Sequence, residues 1–456
     1  MISAVKSGSG KTTLTLALLS LLKKRGMKVC AFKCGPDYID PLFHKQVLGI
    51  PSSNIDPFFQ DRDLMRCIFA ESSMDSEISV IEGVMGYYDG LSFDSAGRSS
   101  HECAVNLDCP VILCIDARGM SYSVIGVIKG MRELTGDSHI QGVILNNIPE
   151  QVFVKMKPVI EKETDVRVFG FLPHIKEAEI GSRHLGLLAP EEISDIEKRI
   201  RKLSDAAEET LDIEGIIRLS GEGSGFGYDG SYMDTLFGDG GIKDNEGIKI
   251  GIASDEAFSF IYEDNLDFLR RSGAEPVFFS PLRDSGLPEG IDGCIFCGGY
   301  PEVYAGELSG NHSMLESVRN ALSSGLPALA ECGGYLYLHE SIRDTKGKMY
   351  RMAGLLEGAR AENTGRLNNF GYKYIKALSG NPFVNPGDCL KAHEFHYYDS
   401  TDTADAMEIV KVSDPERRHM GMRVINNTLC GFPHFYYYAN PSLIRNFLDL
   451  CRSRRK

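Results

Sequence analysis

Residues 3–13, Ser-Ala-Val-Lys-Ser-Gly-Ser-Gly-Lys-Thr-Thr, set two glycines between an apolar strand and a helix. Residues 1–5 are short and apolar enough for a buried strand, and Leu14, Ala17, Leu18, Leu21 and Leu22 recur at helical spacing. Gly8 and Gly10 allow a tight turn whose N–H groups point inward, and the positive end of the following helix favours an anion. The pattern reads as a phosphate-binding loop for ATP. Lys11 reaches the terminal phosphate oxygens, the Thr12 hydroxyl holds Mg²⁺, and Ser7 and Thr13 complete the cradle. The strict spacing would require glycine at Val5, but Lys6, placed before Lys11, marks the variant loop in which a second lysine contacts phosphate.

Downstream, an apolar strand at 28–33 runs into Cys34-Gly-Pro-Asp-Tyr-Ile-Asp-Pro41, a forced loop at a strand's carboxyl end. Open α/β sheets bind ligands at that edge. Lys33 is therefore a candidate for phosphate, Asp37 for metal, and Tyr38 and Asp40 for substrate, although a solvated turn would use the same residue types. The strand at 78–81 ends in Glu82-Gly-Val-Met-Gly-Tyr-Tyr-Asp-Gly90. An acidic residue across from a phosphate loop suits a second Mg²⁺ contact, so Glu82 takes that role. Asp89 lies further out, toward the group to be phosphorylated. Strands follow at 110–116, 140–145 and 168–172, with Asn146 and Asn147 placed either to read an adenine ring or to make a turn. Alternation of these strands with helical segments gives a doubly wound parallel sheet.

The chain has 456 residues, enough for two or three domains, and is 43% hydrophobic with a formal net charge of −14. That charge argues against a nucleic-acid or anionic-membrane surface. No apolar run reaches membrane-spanning length, and the run at 14–22 is followed by Lys23, Lys24 and Arg25 with no small-residue cleavage site after it, unlike a signal peptide. The twelve cysteines are scattered, several inside apolar runs, which fits reduced thiols and a cytoplasmic protein. Residues 190–220 are charged and helical in period, and 221–247 are rich in glycine, as in a linker.

A second α/β region begins with a strand at 248–253, a helix over 257–271 and strands at 275–279 and 293–297. The last leads into Gly298-Gly-Tyr-Pro-Glu302, where Gly298 and Gly299 offer backbone N–H groups to an oxyanion. In Leu326-Pro-Ala-Leu-Ala-Glu-Cys-Gly-Gly-Tyr-Leu336, a strand ends at Glu331 and Cys332 stands on a glycine-supported turn before a helix. Such an elbow exposes the side chain and lends it the helix N-terminus, which favours thiolate. A thiol nucleophile needs a base, and His434 in Gly431-Phe-Pro-His-Phe435 is the candidate. Cys294 and Cys297 read as buried strand positions rather than zinc ligands. His393-Glu-Phe-His396 carries aromatics that suit a strand, which would point its histidines to opposite faces.

Residues 33–41, 82–90 and 183–187 (Arg-His-Leu-Gly-Leu) resemble the signature segments of the cobyrinate a,c-diamide synthases. These are ATP- and glutamine-dependent enzymes of corrinoid biosynthesis whose N-terminal domain is similar to dethiobiotin synthetase. Gly298-Gly-Tyr-Pro-Glu302, Ala330-Glu-Cys-Gly-Gly334 and Pro433-His434 resemble their class I glutamine amidotransferase domain. The resemblance implies that Cys332 attacks the glutamine carboxamide, that His434 activates it, and that ammonia passes to the synthetase site. It further implies a corrinoid substrate carrying the a and c carboxylates, cobyrinate or hydrogenobyrinate, with Mg²⁺ and ATP. Many class I amidotransferases have glutamate two residues after the histidine, where this chain has Tyr436. The expected organisation is a synthetase domain at 1–190, a linker at 191–246, an amidotransferase domain at 247–442 and a helix end with a basic, frayed tail at 443–456. A nickel-sirohydrochlorin a,c-diamide synthase would look similar, and the loop at 3–13 also resembles partitioning-type ATPases, which have no use for Cys332 with His434.

Overall fold

The computed structural model describes residues 1–180, 193–223, 225–238 and 245–455. The Arg-His-Leu-Gly-Leu segment at 183–187 lies outside them, as does the expected boundary at 190. The chain forms two compact units, Met1–Tyr232 and Met233–Lys456. Among the described residues no helix is long and apolar enough to cross a membrane.

The first unit is a parallel sheet of β1 (Ile2–Ala4), β2 (Val29–Cys34), β3 (Ser52–Ile55), β4 (Ile78–Glu82), β5 (Val111–Asp116), β6 (Ile140–Asn146) and β7 (Arg167–Leu172). Their order is β3-β2-β4-β1-β5-β6-β7. The chain leaves β1 for one side of the sheet, returns at β4 and then builds the other side from β5. A ligand crevice belongs at such a reversal, and the glycine loop opens there. Leu113, Val143 and Leu145 are buried between the strands and the helices Ser123–Glu133 and Glu150–Thr164. The sequence reading omits β3, whose Ser-Ser-Asn-Ile carries no apolar alternation; pairing with β2 and burial of all its residues make it a strand.

In the region expected as linker, the helix Ile196–Thr210 lies on Lys11–Lys24, where Lys24 pairs with Asp205 at 3.1 Å and Glu208 at 2.7 Å. The helix Ile213–Ser220 follows, with Glu214 on Arg25 at 2.7 Å. The glycine-rich stretch holds a further helix, Ser231–Phe237.

The second unit contains β8 (Lys249–Ala253), β9 (Glu275–Phe279), β10 (Gly293–Phe296) and β11 (Ala328–Glu331). A second, mixed sheet, antiparallel but for the parallel pair β12–β14, is built from β12 (His339–Arg343), β13 (Met349–Arg351), β14 (Leu356–Ala377), β15 (Cys389–Ser400), β16 (Met407–Lys411) and β17 (Arg418–Gly421). Then come β18 (Arg423–Ile425), β19 (Thr428–Gly431) and β20 (His434–Phe435). The first sheet has the order β18-β19-β11-β10-β8-β9, and β20 crosses to the mixed sheet beside β15. The helix expected over 257–271 spans only Glu263–Arg271. Before it, Asp255 caps Ala257 N at 2.9 Å and Phe260 N donates to Gly298 O at 3.0 Å, so this backbone is committed to the sheet edge. The basic end is not frayed: the helix Pro441–Arg454 buries Leu443, Ile444, Phe447, Leu448 and Cys451, and Arg455 pairs with Asp292 at 2.9 Å.

Candidate active sites

In the first unit β1 delivers the loop and the helix Lys11–Lys24 begins directly after it. Gly8 (φ +74°) and Gly10 (φ +96°) take left-handed conformations that a side chain would strain. A Cβ on Gly10 would also stand 2.1 Å from Asn146 Nδ2. That amide donates to Ser9 O at 2.9 Å, so Asn146 braces the loop rather than facing a base. Asn147 (φ +61°) makes the turn after β6, and its side chain bonds Asp116. Lys6, Ser7 and Gly8 are exposed, while Thr13 is half-buried. Lys11 is buried and donates to the carbonyls of Met85 and Lys6. Burial, and then the Lys33 ammonium, lower its pKa.

Below the loop lies a buried polar cluster. Thr12 Oγ1 donates to Glu82 Oε1 at 2.5 Å and lies 3.5 Å from Asp40 Oδ2. Lys33 Nζ sits between the carboxylates, 2.5 Å from Asp40 and 2.9 Å from Glu82. Burial alone would lower Lys33, yet Asp40 and Glu82 hold it well above its ordinary value. Burial, and then Asp40, push Glu82 up to about 7. Burial would raise Asp40, yet Lys33, with His44 and Glu82 beside it, holds it below its ordinary value. The structure thus places Lys33, expected at phosphate, in a buried ion pair.

Asp37, expected at metal, instead caps a turn: its Oδ1 accepts from Ile39 N at 2.9 Å and Asp40 N at 3.2 Å. Burial, and then Asp40, raise it to about 6. Asp40, expected on the substrate side, stands beside Thr12 and Glu82. Tyr38 precedes the short helix Ile39–Leu42 and is half-buried. Asp89 is exposed, and its Oδ2 accepts from Gly86 N at 2.9 Å, which closes the loop after β4. Sequence reasoning missed Asn54, which holds the loop from beneath by donating to Gly35 O at 3.0 Å and Asp37 O at 2.8 Å.

Glu82 Oε2 is buried without a hydrogen-bond partner among the described residues. Hydroxyl and carboxylate oxygens are hard donors, and Mg²⁺ at nucleotide sites takes one or two of them with water and phosphate oxygens. Thr12, Glu82 and Asp40 therefore fit the ion.

In the second unit Cys332 adopts φ 48° and ψ −101°, between β11 and the helix Gly333–Leu338. Its N–H donates to Gly431 O at 2.7 Å. A side chain could not follow the nucleophile: a Cβ on Gly334 would stand 2.1 Å from Phe296 O, and one on Gly333 2.9 Å from Gly299 N. The elbow is thus packed directly on the Gly298-Gly299 backbone. Against the helix N-terminus expected to favour thiolate, burial, and then Glu302, push the Cys332 thiol up.

His434 opens β20, pairs in register with His393 and is buried. A Cβ on Gly298 would lie 2.4 Å from His434 Cε1, so the diglycine also gives the imidazole its place. Burial, and then His396, lower His434 to about 4. His434 Nδ1 lies 3.9 Å from Glu331 Oε2. Tyr436, at the position where a glutamate was sought, donates to Asp264 Oδ2 at 2.9 Å.

His393 and His396 lie on β15. Glu394 between them is buried with Lys373 at 3.1 Å, and His396 stacks on Phe432 with 3.8 Å between ring centroids. Cys294 and Cys297 are buried, the latter thiol lying 3.1 Å from Ala253 O.

Residues 1–187 match the CobQ/CobB/MinD/ParA nucleotide binding domain family, and residues 249–441 the CobB/CobQ-like glutamine amidotransferase domain family. A cobyrinate a,c-diamide synthase of Caldanaerobacter subterraneus is 37% identical over 99% of this chain and 98% of its own length. Another of that name, from Picrophilus torridus, is 37% identical over 99% and 98%. One from Listeria innocua is 36% identical over 97% of each chain.

Proposed function

Since the chain belongs to the family of cobyrinate a,c-diamide synthases, we propose that its two sites divide one reaction, the ATP- and glutamine-dependent amidation of the a and c carboxylates of cobyrinate. It is a glutamine-hydrolysing ligase, and ATP is its co-substrate. The observation that carries the division of labour is that one chain holds both a glycine loop with Lys11 and Thr12 above Glu82, and a cysteine elbow packed on the same diglycine as His434.

A carboxylate accepts ammonia poorly because its oxygen leaves poorly. In the first unit a substrate carboxylate oxygen attacks the γ-phosphorus, the bond to the bridging oxygen breaks and ADP leaves. The acyl phosphate formed loses inorganic phosphate when ammonia attacks its carbonyl carbon. Lys6, Lys11 and the N–H groups around Gly8 and Gly10 oppose the charge on the transferring group. Mg²⁺ held by Thr12, Glu82 and Asp40 would neutralise phosphate charge when bound. Tyr38 and Asp89, at the same edge of the sheet, are assigned to the substrate side.

In the second unit the Cys332 proton moves to His434, and Sγ bonds to the glutamine amide carbon. His434 returns the proton to the leaving nitrogen, which departs as ammonia; water then hydrolyses the thioester to glutamate. The Gly299 N–H, facing the elbow, and its neighbour Gly298 serve the oxyanion. A buried, neutral thiol and a buried, neutral imidazole suit a proton transfer that waits for substrate.

The test is ADP release with and without cobyrinate, using wild type and Cys332→Ala. Stimulation by cobyrinate, with the variant working on ammonium but not on glutamine, supports the assignment. ADP release indifferent to cobyrinate and to Cys332 overturns it, and turnover on nickel sirohydrochlorin in place of cobyrinate would move the substrate alone.

A further inference from the structure

The residue that would orient His434 has no candidate at the usual position, since Tyr436 is turned to Asp264. Another carboxyl is near. Glu331 is the last residue of β11 and pairs in register with Gly431 of β19, from which Phe432 and Pro433 lead straight to His434. This register brings Glu331 Oε2 to 3.9 Å from His434 Nδ1, and the Phe435 backbone N–H bonds the same carboxyl. Both side chains are buried, Glu331 at 5% exposure and His434 at 2%, and Glu331 Oε1 has no hydrogen-bond partner among the described residues. A buried carboxyl aimed at an imidazole, without a cation of its own among the described residues, is costly to stability and calls for another reason to be there.

We propose that Glu331 is the positioning residue of the glutamine site, its carboxylate fixing the proton of His434 on Nδ1 so that the Nε2 lone pair takes the proton of Cys332. The nucleophile and its orienting acid are then consecutive in sequence, Cys332 presented on the elbow and Glu331 beneath it. When Cys332 gives its proton to Nε2, the imidazolium carries one proton on each nitrogen and the carboxylate opposes its charge. Returning the Nε2 proton to the leaving nitrogen restores the starting tautomer. Besides His434, the titratable groups facing Glu331 are Cys332 itself, Cys297 on the β10 side and Tyr437 after β20. His434 meets His393, His396 and Glu394 of β15 in addition. Burial pushes the Glu331 carboxyl up to about 8, so the carboxylate that this role requires prevails only above that pH, and glutamine turnover is expected to rise as the solution turns alkaline.

This inference rests on the glutaminase role of Cys332, and the experiment separates the two. Glu331→Gln keeps the shape and removes the charge. At pH 9, where the carboxylate prevails, glutamine-dependent kcat is expected to fall about a hundredfold or more, as where a catalytic imidazole loses its orienting carboxylate, with KM within about threefold, ammonium-supported amidation unchanged, and Glu331→Asp recovering much of the loss. A Glu331→Gln kcat within threefold of wild type, while Cys332→Ala abolishes glutamine turnover, overturns the positioning role alone. Glutamine turnover surviving in Cys332→Ala overturns the glutaminase assignment beneath it. Should Glu331→Gln lose ammonium-supported activity too, the wild-type chain decides: with ¹⁵N-histidine at pH 9, His434 as the Nδ1–H tautomer supports the role, and as the Nε2–H tautomer overturns it.

Discussion

Lys33 and Lys11 flank the same carboxylates but stand in different physical situations, and substitution separates them. Lys33 is the cation of a buried cluster, and removing one member of such a pair leaves the other charge uncompensated, at about 3–5 kcal/mol. Lys33→Met is expected to lower the melting temperature of the first unit markedly. Lys11→Ala is expected to abolish ADP release, with glutamine or ammonium, while shifting melting far less; calorimetry beside an ADP assay reads both. Lys11, Thr12, Glu82, Cys332 and His434 stand out in the sequence as candidates because residue type and local spacing single them out. Asn146, Asn54 and Glu331 do not, because their partners, Ser9, Gly35 and His434, are distant in sequence and only the strand order brings them together. The one local signal for Glu331 was a carboxylate ending an apolar strand directly before the nucleophile.

At the scale of elements, the parallel strands announce themselves as apolar runs, whereas β14 and β15 do not. Across its 22 residues β14 alternates buried and exposed positions only in part, and its register with β15 shifts twice. Such a strand owes its place to its partners rather than to its own periodicity. The helix after Cys332 shows the opposite dependence, on two glycines read correctly as the support of a turn. Because the atom facing Gly334 is the Phe296 carbonyl rather than a movable side chain, Gly334→Ala forces the helix off β10. Overpacking of this kind costs about 1–3 kcal/mol. The expected result is a melting temperature lowered by about 2–4 °C per kcal/mol and loss of glutamine turnover, with ammonium-supported synthesis retained at temperatures below the transition.

For the whole molecule, the two units should answer acid differently. In the second unit His339, His393 and His434 are lowered by burial, to about 4, 3 and 4, from an unfolded value near 6.5. Below that value the unfolded chain binds protons that the folded one refuses, so their stability is present above about pH 6.5 and is lost as the pH falls toward 4. Burial lowers His419 as well, and Glu331, raised to about 8, acts in the opposite sense, one group against four. In the first unit only His44, lowered to about 4, loses in that window among the histidines with resolved shifts. Glu82 and Asp37, raised to about 7 and about 6, retain protons in the fold that the unfolded chain gives up, and so gain as the pH falls. Calorimetry at pH 7.5 and pH 5 is expected to show the second unit's transition falling further; equal shifts would refute this account. The twelve thiols have a consequence of another kind. Ten are buried, Cys109 is half-buried and Cys389 alone is exposed. An oxidant reacts with accessible thiolate, and the resting Cys332 offers neither access nor charge. Peroxide is therefore expected to meet Cys389 first, at the start of β15, by access alone, since partial burial raises that thiol too.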